Sequence, residues 1–157
     1  MTTVERSIDV EAPVRTVYDQ WTQFEEFPRF MEGVEQVTQI DETQVHWVAK
    51  IGGQRREWDA TITEQKPDDR VAWSSREGAR NAGVVTFHRL DDTHTRVMLQ
   101  LRFDPVGVME KVGAALGMVA KRAAGDLKRF RDFIEARGRE TGAWRGTVEA
   151  PPQHSPR

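Results

Sequence analysis

No cysteine occurs among the 157 residues, which excludes disulfide cross-links, thiolate nucleophiles and cysteine-bound zinc. No apolar run approaches the ~20 residues of a membrane-spanning helix. The first ten residues, MTTVERSIDV, contain no apolar stretch of signal-peptide type. The expectation is therefore a cytoplasmic protein without membrane insertion. A surplus of one charge is also missing: 23 Lys and Arg stand against 25 Asp and Glu, for a formal charge of -2, which argues against nucleic acid as a partner. The chain has no Gly-x-Ser-x-Gly elbow, no Gly-rich phosphate loop and no His-Glu-x-x-His, and no cofactor is expected.

Residues that titrate or bind metals are few and scattered. Of the 4 histidines, His46 and His88 fall on the outward phase of their strands, His94 sits by a turn and His154 stands near the C-terminal end, so no metal site is expected. Asp68-Asp69 and Asp91-Asp92 resemble an acid/base pair of carboxylates. Both pairs read as turn chemistry, because an aspartate there bonds backbone groups two residues on and stays solvated.

What is present suits one domain with one core, at a length that needs no cross-link to fold. Val4, Ile8 and Val10 alternate with polar residues as in a half-buried strand. Pro13 opens a short helix carrying Val14, Val17, Tyr18 and Trp21 at helical spacing. Pro28 is placed to open a second short helix and Gly33 to close it. From residue 34 the period becomes two, predicting strands at 34–41, 44–51, 54–66, 70–77, 83–90 and 95–103. Their apolar phases put Trp47, Trp58, Trp73 and Phe87 on one sheet face.

After Asp104-Pro105, about thirty residues read as one helix with the stripe Met109, Val112, Leu116, Val119, Ala123, Leu127, Phe130 and Ile134. Gly138 supplies the stop. The expected domain spans 1–137, and 138–157, rich in Gly and Pro, is expected to be a disordered tail. The order of elements predicts an α+β fold: a seven-stranded antiparallel curved sheet wrapped around a long C-terminal helix, with two short helices between strands one and two. One helix of ~10 Å diameter cannot cover so wide a sheet, so this arrangement tends to leave a hollow.

Two readings compete for the residues around that hollow. Gly113, Gly117 and Gly125 sacrifice about 2 to 3 kcal/mol of helix propensity, either to enclose a ligand or to let helix and sheet backbones approach. The inward tryptophans either stack on a flat apolar ligand or are plain core. The candidate ligand-lining set is Phe30, Met31, Trp47, Trp58, Trp73, Ser75, Phe87, Leu99, Met109, Val112 and Leu116. Arg56 is the inward cation that could polarise a carbonyl, or else pair with a neighbouring acid. Lys111, Lys121, Arg122, Lys128, Arg129, Arg131 and Arg137 make the long helix basic, while the first 105 residues are net acidic.

Ala12-Pro13-Val14 with Val17 and Trp21, then Phe27-Pro28-Arg29-Phe30-Met31, Trp58, Trp73-Ser74-Ser75, Gly83, Phe87, Pro105 and Asp126-Leu127-Lys128-Arg129-Phe130 together resemble the SRPBCC superfamily. These are the START or birch-pollen-allergen-like helix-grip proteins, and the closest likeness is to bacterial polyketide cyclase/dehydrase-like members. The resemblance covers residues 2 to 137. It implies a deep apolar cavity under the long helix that in different members holds lipids, quinones, hormones or polyketides. In some members an Arg or Tyr there assists aldol closure and dehydration. The chain departs from that catalytic pattern, with one tyrosine, Tyr18, and only Arg56 as an inward cation. Three functions follow as expectations: binding or carrying a small hydrophobic molecule, a polyketide aromatase/cyclase using Arg56, or an interaction module recruiting a protein partner through a tail containing Trp144 and Pro151-Pro152.

Overall fold

The computed structural model describes residues 2–51, 53–75, 81–103 and 112–149. In chain order they form β1 (Thr2–Val10), α1 (Val14–Trp21), a 3-10 helix (Phe24–Arg29), β2 (Val34–Gln39), β3 (Gln44–Ile51), β4 (Gln54–Lys66), β5 (Arg70–Ser75), β6 (Asn81–Asp91), β7 (His94–Phe103) and α2 (Val112–Arg137). The strands make one antiparallel sheet in the order β1-β7-β6-β5-β4-β3-β2. This is the expected α+β helix-grip architecture, a curled seven-stranded sheet with a long C-terminal helix.

Register follows the apolar phase. Trp47 pairs with Trp58, Ile62 with Trp73, Val71 with Val85, Val85 with Leu99 and Phe87 with Val97, so one side chain after another lands on the same face. Turn aspartates act as their spacing suggests: the Asp41 carboxylate accepts the backbone N–H of Thr43 and Gln44, and Asp91 that of Thr93. Irregularities between Ile62 and Glu64 and between Arg89 and Asp91 bend the sheet. The first of these shifts the phase of β4, so that Gln65 turns inward and is buried.

Helix α2 buries Ala123, Leu127, Phe130 and Ile134, the second half of the apolar stripe, while Met118 stays 59% exposed. It ends where Gly138, at φ +77, donates its N–H to the Ile134 carbonyl at 2.9 Å. Its backbone runs nearest β1, whereas the 3-10 helix lies nearest β2 at the opposite edge.

Two expectations are corrected. The second short element is a 3-10 helix that begins at Phe24, and Pro28 lies inside it rather than opening it. Phe24, Phe27 and Phe30 recur every third residue and are all buried, which matches three residues per turn better than 3.6. Residues 138–149 are not a disordered tail: they run back over α1 and reach β4, held by hydrogen bonds to buried polar side chains. The rest of that expected tail, 150–157, and Met109 lie outside the described residues.

Candidate functional site

The two ends of the concave face differ. Around α1 and the 3-10 helix, aromatic rings interlock. Trp21 meets Phe27 at 5.2 Å, Phe87 at 6.4 Å and Phe130 at 5.1 Å, and Phe30 meets Phe130 and Phe133, each at 5.3 Å. Tyr18 stands edge-on to Phe87. Phe30 and Phe87, both expected at a ligand, are thus closed into this cluster at 4% and 5% exposure.

Further along, the indoles of Trp47 and Trp58 lie stacked, 5.9 Å apart and 5° from parallel, on paired positions of β3 and β4. Both are only half-buried, as is Trp73 on β5. Phe27 joins this stack to the aromatic cluster through Trp47 at 5.6 Å. Ser75 and Leu99 are buried on the same face. Val112 and Leu116 lie in the first turns of α2. Met31 is half-buried and lines, with Pro28, Arg29, Phe30, Glu32 and Arg129, an open groove of about 240 Å³ outside the aromatic cluster. There the Arg129 guanidinium is engaged by the Phe30 carbonyl, Asp126 and Glu32.

Arg56 does not reach the concave interior. Its position pairs with Ala49, in phase with Trp58, yet it stands near the turn that joins β3 to β4, where the side chain is exposed and donates to Gln54 Oε1. Position along the strand, not phase, decides its environment. Among the described residues, the one fully buried carboxylate is Asp19 on α1. Burial raises its pKa, against the Arg145 hydrogen bond and charge that lower it. Asp19, Gln20, Thr22 and Gln65 are polar residues at buried positions that the sequence reading passed over. The available signal was polar side chains at the end of α1, in the turn that also presents Trp21.

Gly117 and Gly125 on α2 do not serve close approach of helix and sheet backbones. A Cβ on Gly117 would meet nothing within 4 Å, and the nearest atoms to one on Gly125 would be those of the flexible Arg129 guanidinium, at 3.1 Å. Among the described residues, no group of three or more His, Asp and Glu is placed to hold a metal ion. No helix among them is long and apolar enough to cross a membrane.

Comparison with known proteins turns on the same elements. Residues 10–131, from the end of β1 to the last turns of α2, match the family described as polyketide cyclase / dehydrase and lipid transport. The chain belongs to that family. An uncharacterised 17.2 kDa protein of Streptomyces lincolnensis is 59% identical over 149 residues, covering 94% of this chain and 99% of its own. Among solved structures, a protein of Thermus thermophilus superposes with a TM-score of 0.76 at 21% identity, over 87% of this chain and 99% of that one. The ZhuI aromatase/cyclase of Streptomyces sp. R1128 does so at 0.74 and 18%, over 91% and 99%. A START superfamily protein of Mycobacterium smegmatis reaches 0.67 at 15%, over 86% and 95%. At these identities the structural likenesses establish the fold alone. The family match ends at residue 131, so the returning segment 138–149 lies outside the matched region.

Proposed function

We propose that the protein binds or carries a small hydrophobic molecule with a flat apolar face, of lipid, quinone or polyketide type, on the concave side of the sheet. The observation that carries this reading is the Trp47–Trp58 stack, left half-buried with Trp73 while the aromatic cluster beside it is closed. Large indoles bury well, and a core that had no guest to admit would cover them. Trp47, Trp58 and Trp73 form the floor of the site, Ser75 supplies a polar point on it, and Leu99 with Val112, Leu116 and Met109 completes the assignment. The description of the family, which joins cyclisation and lipid transport, supports an apolar guest.

Binding without catalysis is favoured because Arg56, the expected electrophile, is exposed and bonded to Gln54. A general acid or base must come within hydrogen-bond reach of the reacting proton. The cyclase reading keeps one test: Arg56→Ala should leave the product distribution from a poly-β-ketone mimic unchanged, and an altered distribution would restore the enzyme assignment.

The binding reading is tested by titrating tryptophan fluorescence with a naphthoquinone. Saturable quenching is expected, weakened about tenfold in Trp47→Ala or Trp58→Ala, since a ring contact and its buried area together are worth roughly 1.4 kcal/mol or more. Quenching that never saturates, or that ignores both substitutions, overturns it.

A further inference from the structure

Segment 138–149 occupies a groove between α1 and the free end of β4. Pairing of β3 with β4 stops at Gln44 and Thr61, with one further bond from Ile62 N–H to the Thr43 carbonyl, so β4 outruns its neighbour. On that uncovered edge the Gln65 N–H donates to the Val148 carbonyl at 2.8 Å, and the Val148 N–H donates back at 2.9 Å. At the other end, Gln20 donates to the Thr141 hydroxyl at 3.1 Å and accepts the Thr141 N–H at 2.8 Å. Between these points the Arg145 guanidinium bridges Asp19 at 2.5 Å and Asp68 at 2.8 Å and lies 5.6 Å over the Tyr18 ring. Asp68 holds a left-handed φ of 62, which aspartate tolerates, within the turn between β4 and β5.

With the segment seated, the groove's side of this contact is buried and polar. Asp19, Gln20, Thr22 and Gln65 are all 2% exposed or less. Without an occupant, Asp19 would lose Arg145, Gln20 would lose Thr141 and Thr22 would lose the Trp144 N–H, and a buried carboxylate stripped of its guanidinium is worse than a neutral group. The seat therefore suits a particular chain: an arginine for the two aspartates and, three residues later, extended backbone whose N–H and carbonyl pair with those of Gln65 on β4. Contacts of that kind are the same whether the segment comes from the molecule itself or from another copy.

We infer that α1 and the free end of β4 form a receptor groove for an extended peptide, with the chain's own residues 141–148 as resident ligand, and that the groove accepts the same segment from a second copy when its own is displaced. The test uses full-length protein and a fluorescent peptide of residues 139–149, read by anisotropy. The Arg145→Ala chain, whose own segment has lost its central fastener, should bind the wild-type peptide saturably. The wild-type chain should bind it at least about tenfold more weakly, because only its open fraction is competent. A peptide carrying Arg145→Ala should bind neither chain.

No saturable binding to a folded Arg145→Ala chain, or equal binding of the two peptides, overturns the inference. Should that variant lose cooperative unfolding, hydrogen exchange on the wild-type chain decides instead. Val148, Trp144 and Thr141 amides exchanging through an opening that leaves Val85, Val97 and Leu99 protected supports a separable segment. Exchange of both sets together overturns it.

Discussion

Gly83 on β6 sits directly across from Trp73, and a Cβ there would stand 2.5 Å from the indole and 2.9 Å from the Gln100 carbonyl oxygen. The backbone oxygen cannot step aside, so Gly83→Ala should cost about 1 to 3 kcal/mol by overpacking, read as a lower urea midpoint; an unchanged midpoint would show that the indole and the β7 backbone both give way freely. His46 offers a prediction of pH dependence. Its two ring nitrogens face Asp59 at 2.7 Å and Glu57 at 3.0 Å on the outer side of the sheet. The hydrogen bond to Asp59, then that to Glu57, raises its pKa from the ordinary 6.5. A histidine whose folded pKa is raised contributes stability that is complete below the unfolded value and fades as pH climbs through the folded one. The thermal midpoint of wild type should therefore exceed that of His46→Gln more at pH 5.5 than at pH 9, and a gap that widens with pH would contradict the pairing.

Single elements divide the labour between core and site. The stripe along α2 was readable from its three-and-four spacing, but spacing cannot report that Ala123, Leu127, Phe130 and Ile134 are sealed while Met118 remains in solvent. Leu127→Ala should cost about 2 to 5 kcal/mol, as for other buried leucines. Gly117→Ala should stabilise by up to about 1 kcal/mol, since helix propensity improves and the new methyl meets nothing within 4 Å. Loss of stability on that substitution, measured by urea unfolding, would mean that the glycine answers to a neighbour after all. Strand phase was equally legible, down to the Trp47–Trp58 pair. The 3-10 helix was not, because a proline looks the same at the start of one helix as inside another. The course of 138–149 was hidden for a different reason. Its partners, Asp19, Gln20 and Thr22, lie more than a hundred residues away, and a Gly-rich polar segment reads as loose until such partners are known.

At the scale of the whole molecule, stability and binding are assigned to opposite ends of one concave face, which makes them separable by experiment. The closed end rests on Phe130, fully buried between Trp21 and Phe30, and Phe130→Ala should cost about 3 to 5 kcal/mol. The open end rests on Trp58, half-buried already, so Trp58→Ala should cost less. A guest that binds only the folded chain adds about 2.7 kcal/mol when present at a hundred times its dissociation constant. Urea unfolding with and without a saturating naphthoquinone should then show nearly the full increment for wild type and for Phe130→Ala, although the latter starts from a lower baseline. Trp58→Ala should start near the wild-type baseline and gain little at the same quinone concentration. If the increment instead vanishes in Phe130→Ala and survives in Trp58→Ala, the guest sits among the rings of the closed end, and the division of the face is reversed.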